Sequence, residues 1–128
     1  MRYVAALLVV VGLLWMPAVN AQSAVDYDAF AFETITVSSA AIGFTAATIR
    51  PSGQVAARYA FCTLAADNIR YRYDGSDPTA TVGHYLIPST TAPMAEFTLF
   101  GYNNISKFRA ILDTGAGGDA TLSCTYSR

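Results

Sequence analysis

IRYRYDGSDPTATVGHYL, from Ile69 to Leu86, reads as a strand, a tight polar turn and a second strand. Ile69, Tyr71 and Tyr73 alternate with Arg70, Arg72 and Asp74, so successive side chains fall on opposite faces, as in a half-buried strand. Asp74-Gly75-Ser76-Asp77-Pro78 has hairpin-turn composition: glycine accepts positive φ, proline fixes φ, and aspartate bonds nearby backbone. One face is then a buried tyrosine face. The other is a solvated arginine face, with Asp74 or Asp77 pairing an arginine.

The same period of two recurs along the chain. Ala120, Leu122, Cys124 and Tyr126 alternate with Thr121, Ser123, Thr125 and Ser127. Phe108, Ala110 and Leu112 alternate with Lys107 and Arg109, and Ile35 and Val37 with Thr34 and Thr36. Turn signals separate these runs at Pro51-Ser52-Gly53, Ala66-Asp67-Asn68, Pro88 to Pro93, Asn103-Asn104 and Gly115 to Gly118. Short strands with frequent turns predict an all-β fold, an antiparallel, jelly-roll-like β-sandwich of about seven or eight strands. No segment after the leader carries a helical period, and Ser38 to Ala47 reads as an irregular connection plus a strand.

Arg2, the apolar run Val4 to Trp15, Pro17 and the small residues up to Ala21 have the layout of a signal-peptide helix over residues 1–21. A retained anchor is the rival reading, at the short end of what spans a bilayer. Residues 22–30 read as a flexible lead-in and 31–128 as one domain. Without Arg2 the chain has seven basic and nine acidic residues, so nothing advertises a nucleic-acid partner, and a membrane enters only if the leader is retained. The expected location is secreted, periplasmic or extracellular. There the two cysteines, Cys62 and Cys124, are most simply one disulfide between neighbouring strands, closing a loop worth roughly 3–4 kcal/mol.

Catalytic signals are thin. His84 is the single histidine, and no serine sits in a nucleophile-elbow pattern. Glu33 and Glu96, the only glutamates, read as exposed strand positions. Asp74 and Asp77 are a weak calcium candidate without an EF-hand pattern. No cofactor is implied. Arg70, Arg72, Tyr71, Tyr73, Tyr85 and Tyr102 are the binding candidates, since arginine and tyrosine are enriched at recognition surfaces. Phe100 to Asn104 is a second aromatic and amide patch, and Asn104-Ile105-Ser106 matches a glycosylation sequon.

The Ile69–Leu86 run, with FTLFGYNNISKFRAI and the closing TLSCTYSR, resembles small β-sandwich proteins of tailed bacteriophages and prophages. The resemblance spans Ile42 to Arg128 and implies a virion-associated part without enzymatic activity. The chain departs from that family in its leader and in Cys62 and Cys124, both of which fit a version of the fold moved to an oxidising compartment. The expectation is an exported, non-enzymatic structural or assembly module with a protein partner or a homo-oligomeric state. The alternative is a secreted carbohydrate-binding or adhesion module that stacks sugars on exposed tyrosines.

Overall fold

A computed structural model describes residues 26–89 and 95–128. The leader over residues 1–21 and the first part of the 22–30 lead-in lie outside the described residues. The elements in chain order are β1 (Ala29–Val37), α1 (Ala46–Ile49), β2 (Tyr59–Ala65), β3 (Ile69–Arg72), β4 (His84–Leu86), β5 (Ala95–Phe100), α2 (Tyr102–Ser106), β6 (Arg109–Leu112) and β7 (Ala120–Ser127).

The strands form two antiparallel sheets, β1-β7-β2-β5 and β4-β3-β6. Their inner faces share one core, which makes the chain an all-β sandwich. The period-two runs explain which side chains enter it. Along β7, Ala120, Leu122, Cys124 and Tyr126 are all buried, while Thr121, Ser123 and Thr125 face outward. On β2 the inward set is Ala60, Cys62 and Leu64, and on β3 it begins with the fully buried Ile69. Each large apolar side chain buried this way contributes about 2 kcal/mol of transfer free energy.

Cys62 and Cys124 stand directly opposite each other on the neighbouring strands β2 and β7 and are disulfide-bonded. Their Cα atoms are 4.2 Å apart, close to the ~4.5 Å of a non-hydrogen-bonded antiparallel pair. Such a bond fits an oxidising compartment. Among the described residues, no helix is long and apolar enough to cross a membrane.

The structure departs from the sequence reading in three places. Pairing starts at Ala29, inside the stretch read as lead-in, and Asp28 adds a further backbone pair with Arg128. Among the described residues two helices occur, at Ala46–Ile49 and Tyr102–Ser106. They hold four and five residues, too few to print a helical period on the sequence. Ser38 to Ala47 forms no strand: it holds an isolated bridge, Ile42 to Ala110, and a hydrogen bond from the Leu112 N–H to the Ser38 carbonyl. Gly43 follows it where a Cβ would lie 2.8 Å from the Phe108 carbonyl oxygen, so the chain crosses too closely for any side chain there.

Glu33 is the third correction. It is not exposed but half-buried, sharing the inward parity of Ile35 and Val37. Its carboxylate accepts a 2.6 Å hydrogen bond from the buried Tyr126 hydroxyl and a 3.1 Å bond from the Thr45 backbone N–H. Tyr126 needs that partner, because a buried hydroxyl without one costs several times what the bond contributes. Burial, and then the Glu33 carboxylate, hold the Tyr126 phenol well above its usual pKa.

Candidate functional site

An open cleft of about 550 Å³ lies at the end of the β3–β4 hairpin, lined by Arg72, Tyr73, Asp74, Val82, Gly83 and His84. Antiparallel pairing sets Tyr71 opposite His84, and Tyr73 follows two residues on with the same parity. The three rings gather in consequence. Tyr73 stacks on His84 with centroids 5.5 Å apart and planes 9° from parallel, and Tyr71 lies 5.2 Å from His84. Tyr71 in turn stacks on Phe97 at 4.9 Å, Phe97 on Phe108 at 5.4 Å, and Phe108 on Phe44 at 4.2 Å. An aromatic column thus runs from the core to the cleft and holds the outermost ring, Tyr73, against a rigid base.

Arg72 and Asp74 form the polar rim. The guanidinium donates through Nε to Asp74 Oδ1 at 3.1 Å, and its second bond goes to Asp74 Oδ2. Asp74 Oδ1 also accepts from the Ser76 backbone N–H at 3.1 Å. The Arg72 hydrogen bond first, then the Ser76 N–H, keep the Asp74 carboxyl below the usual carboxylate range. Gly83 forms part of the wall at φ +140°, where a Cβ would stand 3.1 Å from the Tyr71 carbonyl oxygen.

The six binding candidates do not form one surface. Only Arg72 and Tyr73 line the cleft. Tyr71 is half-buried and packs into the core, which raises its phenol pKa by desolvation. Arg70 and Tyr85 share the outer face of β3 and β4, where the guanidinium lies 4.2 Å over the Tyr85 ring and donates to Asp113 at 2.6 Å. The Arg70 hydrogen bond is the main reason the Asp113 carboxyl is held low. The Tyr85 hydroxyl also accepts from the Asn68 side chain at 2.9 Å. Tyr102 sits on α2, packed against the core, with Arg50 5.7 Å from its ring centre.

The calcium candidates each face an arginine: Asp74 pairs with Arg72, and Asp77 lies 3.4 Å from Arg109. Among the described residues, no three His, Cys, Asp or Glu side chains gather as a metal site. Glu33 and Glu96 sit on β1 and β5, the two opposite edge strands of the four-stranded sheet. The sequon residue Asn104 donates its side-chain amide to the Phe100 carbonyl at 2.9 Å.

The surface that the sequence reading missed is the outer face of that sheet. The register places Phe32, Thr125, Phe61 and Thr98 in one row, and Ser127, Tyr59 and Phe100 in the next. Phe32 and Phe100 are 64% and 58% exposed, high values for phenylalanine on a strand. Tyr27 lies 5.0 Å from Tyr59, and Tyr59 lies 5.4 Å from Phe100. The signal was present: once Cys62 points inward, Tyr59 and Phe61 must point outward. Compared with protein-family models, curated protein sequences and solved structures, the chain matches none.

Proposed function

We propose that this protein is an exported, non-enzymatic assembly module that packs the outer face of its four-stranded sheet against a second copy of itself. The observation that carries this reading is the aromatic face formed by Phe32, Phe61, Tyr59, Phe100 and Tyr27. Exposed apolar patches on small soluble domains mark interaction sites when they are contiguous. The three innermost rows of this face add only hydroxyl side chains and the single charge of Glu96. A face so nearly neutral is self-complementary and suits a two-fold contact, where the same patch serves both partners. The resemblance to virion-associated sandwich proteins, which work as repeated parts, points the same way. Export rests on the Arg2 to Ala21 leader pattern and on the disulfide.

The test is size-exclusion chromatography with light scattering on the leader-free protein, beside a Phe32→Ser, Phe100→Ser double variant. The expected result is an oligomer that the double variant reduces to monomer. A wild-type monomer at roughly 100 μM, or an oligomer that the substitutions leave unchanged, refutes the reading; a contact that matters at lower concentration has a Kd below that value.

A further inference from the structure

The cleft on the three-stranded sheet belongs to a different part of the molecule and goes beyond the assembly reading. We infer that it binds a neutral saccharide, seated with the C–H face of one pyranose ring on Tyr73 and its hydroxyls on Arg72 and Asp74. Four observations lead there.

First, Tyr73 offers a flat ring to an open cleft. It is 38% exposed, while the His84 ring lies parallel to it and the aromatic column fixes both from below. A ring held in place loses little freedom when a ligand stacks on it. Second, the groups beside the ring are planar and polar. A guanidinium and a carboxylate in a bidentate pair present donors and acceptors in fixed directions. Neighbouring hydroxyls of a pyranose both donate and accept, so they match a rim that holds both kinds of group side by side.

Third, the arginines at the cleft rim are paired. Arg72 faces Asp74, and nearby Arg109 faces Asp77. Lys107, whose stem passes Gly75, is one further cation nearby, so the rim holds no cluster of unpaired positive charge of the kind that selects a phosphate or a sialic acid. Fourth, its shape is shallow. Val82, 53% exposed, and Gly83 complete the wall without closing over the space. A purely apolar ligand gains from enclosure. A sugar keeps much of its hydroxyl rim in water and does not need it. Tyr71, Tyr85 and Tyr102 take no part, because the first packs inward and the other two lie away from the cleft lining.

The test uses the leader-free protein on an array of neutral hexose and N-acetylhexosamine oligosaccharides, with sialylated and uronate glycans alongside. The strongest neutral glycan is then titrated into the protein by NMR. His84 is the single histidine, so its imidazole resonance reports on the cleft alone. The expected result is binding to neutral glycans, a shift of the His84 signal on titration, and at least tenfold weaker binding in Tyr73→Ala. Tyr73→Phe keeps the ring and retains binding, as does Tyr85→Phe on the other face of the sheet. A blank array overturns the inference. So does selectivity for acidic glycans, an unmoved His84 signal, or wild-type affinity in Tyr73→Ala. The oligomer measurement stands apart from all of these, so either proposal fails without the other.

Discussion

Replacing Cys62 and Cys124 together by alanine tests what holds this domain folded. The bond links residues 62 positions apart, and closing a loop of that length in the unfolded chain is worth roughly 4 kcal/mol by the chain-entropy relation. A single domain of this size has only about 5–15 kcal/mol of stability in total. Removing the bond therefore takes away a quarter or more of the margin, and the two truncated side chains add a small cavity, since both cysteines are fully buried. For a domain near 100 residues this corresponds to a fall in Tm of roughly 15–30 °C. The assay is urea denaturation of wild type and the double variant at neutral pH, followed by far-UV circular dichroism. Both midpoints and slopes are needed, because an uncrosslinked denatured state is more expanded and steepens the slope. The double variant should lose about 3–5 kcal/mol and retain strand signal where it still folds. A loss below about 1 kcal/mol would refute the reasoning, showing that the core alone supplies the margin.

Acid should expose the carboxylate network. Asp113, Asp67 and Asp74 are all held below their ordinary values, chiefly by hydrogen bonds from Arg70, the Asn68 backbone and Arg72 respectively. Depressed carboxyls contribute stability above the unfolded value near 3.9 and lose it as pH falls through the lower folded value. Urea midpoints should thus drop below about pH 4, and Asp113→Asn should flatten that drop while lowering the neutral-pH midpoint. Gly43→Ala should cost about 1–3 kcal/mol by the same denaturation assay, because its Cβ would meet the Phe108 carbonyl oxygen at 2.8 Å. Tyr126→Phe should cost about 1.5–3 kcal/mol, the range for a hydrogen bond to a charged group, and Glu33→Ala should not add its full effect in the double variant.

Local patterning made most of the architecture legible. The alternation in Ala120–Ser127 and Ile69–Arg72 identified strands and their buried faces, and the same parity put both cysteines inward. The helices were hidden because one turn of backbone leaves no periodic trace. Glu33 was misread for a different reason. Its charge argues for solvent, yet Ile35 and Val37 fix its parity inward, and only the position of Tyr126 two strand rows of side chains away explains the partner. The cleft was half visible. Arg72, Tyr73 and Asp74 were legible as a strand end and turn, but Val82 and Gly83 join them only through the return of the hairpin. For Arg70, sequence gives no sign that Asp113, distant along the chain, would pair with its guanidinium.

The contrast between the two outer faces bears on where this molecule meets others. On the three-stranded sheet, Arg70 and Arg109 have carboxylate partners within the chain, and Arg70 also covers an aromatic ring. That face has satisfied its charges internally, so a partner protein docking there would first have to displace existing ion pairs. On the four-stranded sheet, exposed aromatics stack on one another: Tyr27 with Tyr59 and Phe100, and Tyr59 with Phe100. Clustering lowers their exposed area but does not remove it, and burial against a second surface would release about 25 cal/mol for each Å² covered. Phe32 and Phe100 lie outside the buried core, and the disulfide is on the other side of the sheet. Threonine, which fills the neighbouring positions Thr34 and Thr63, is also a strand-favouring residue. The assembly proposed above accounts for aromatic side chains at Phe32 and Phe100, because a second copy on the same rows would bury both rings.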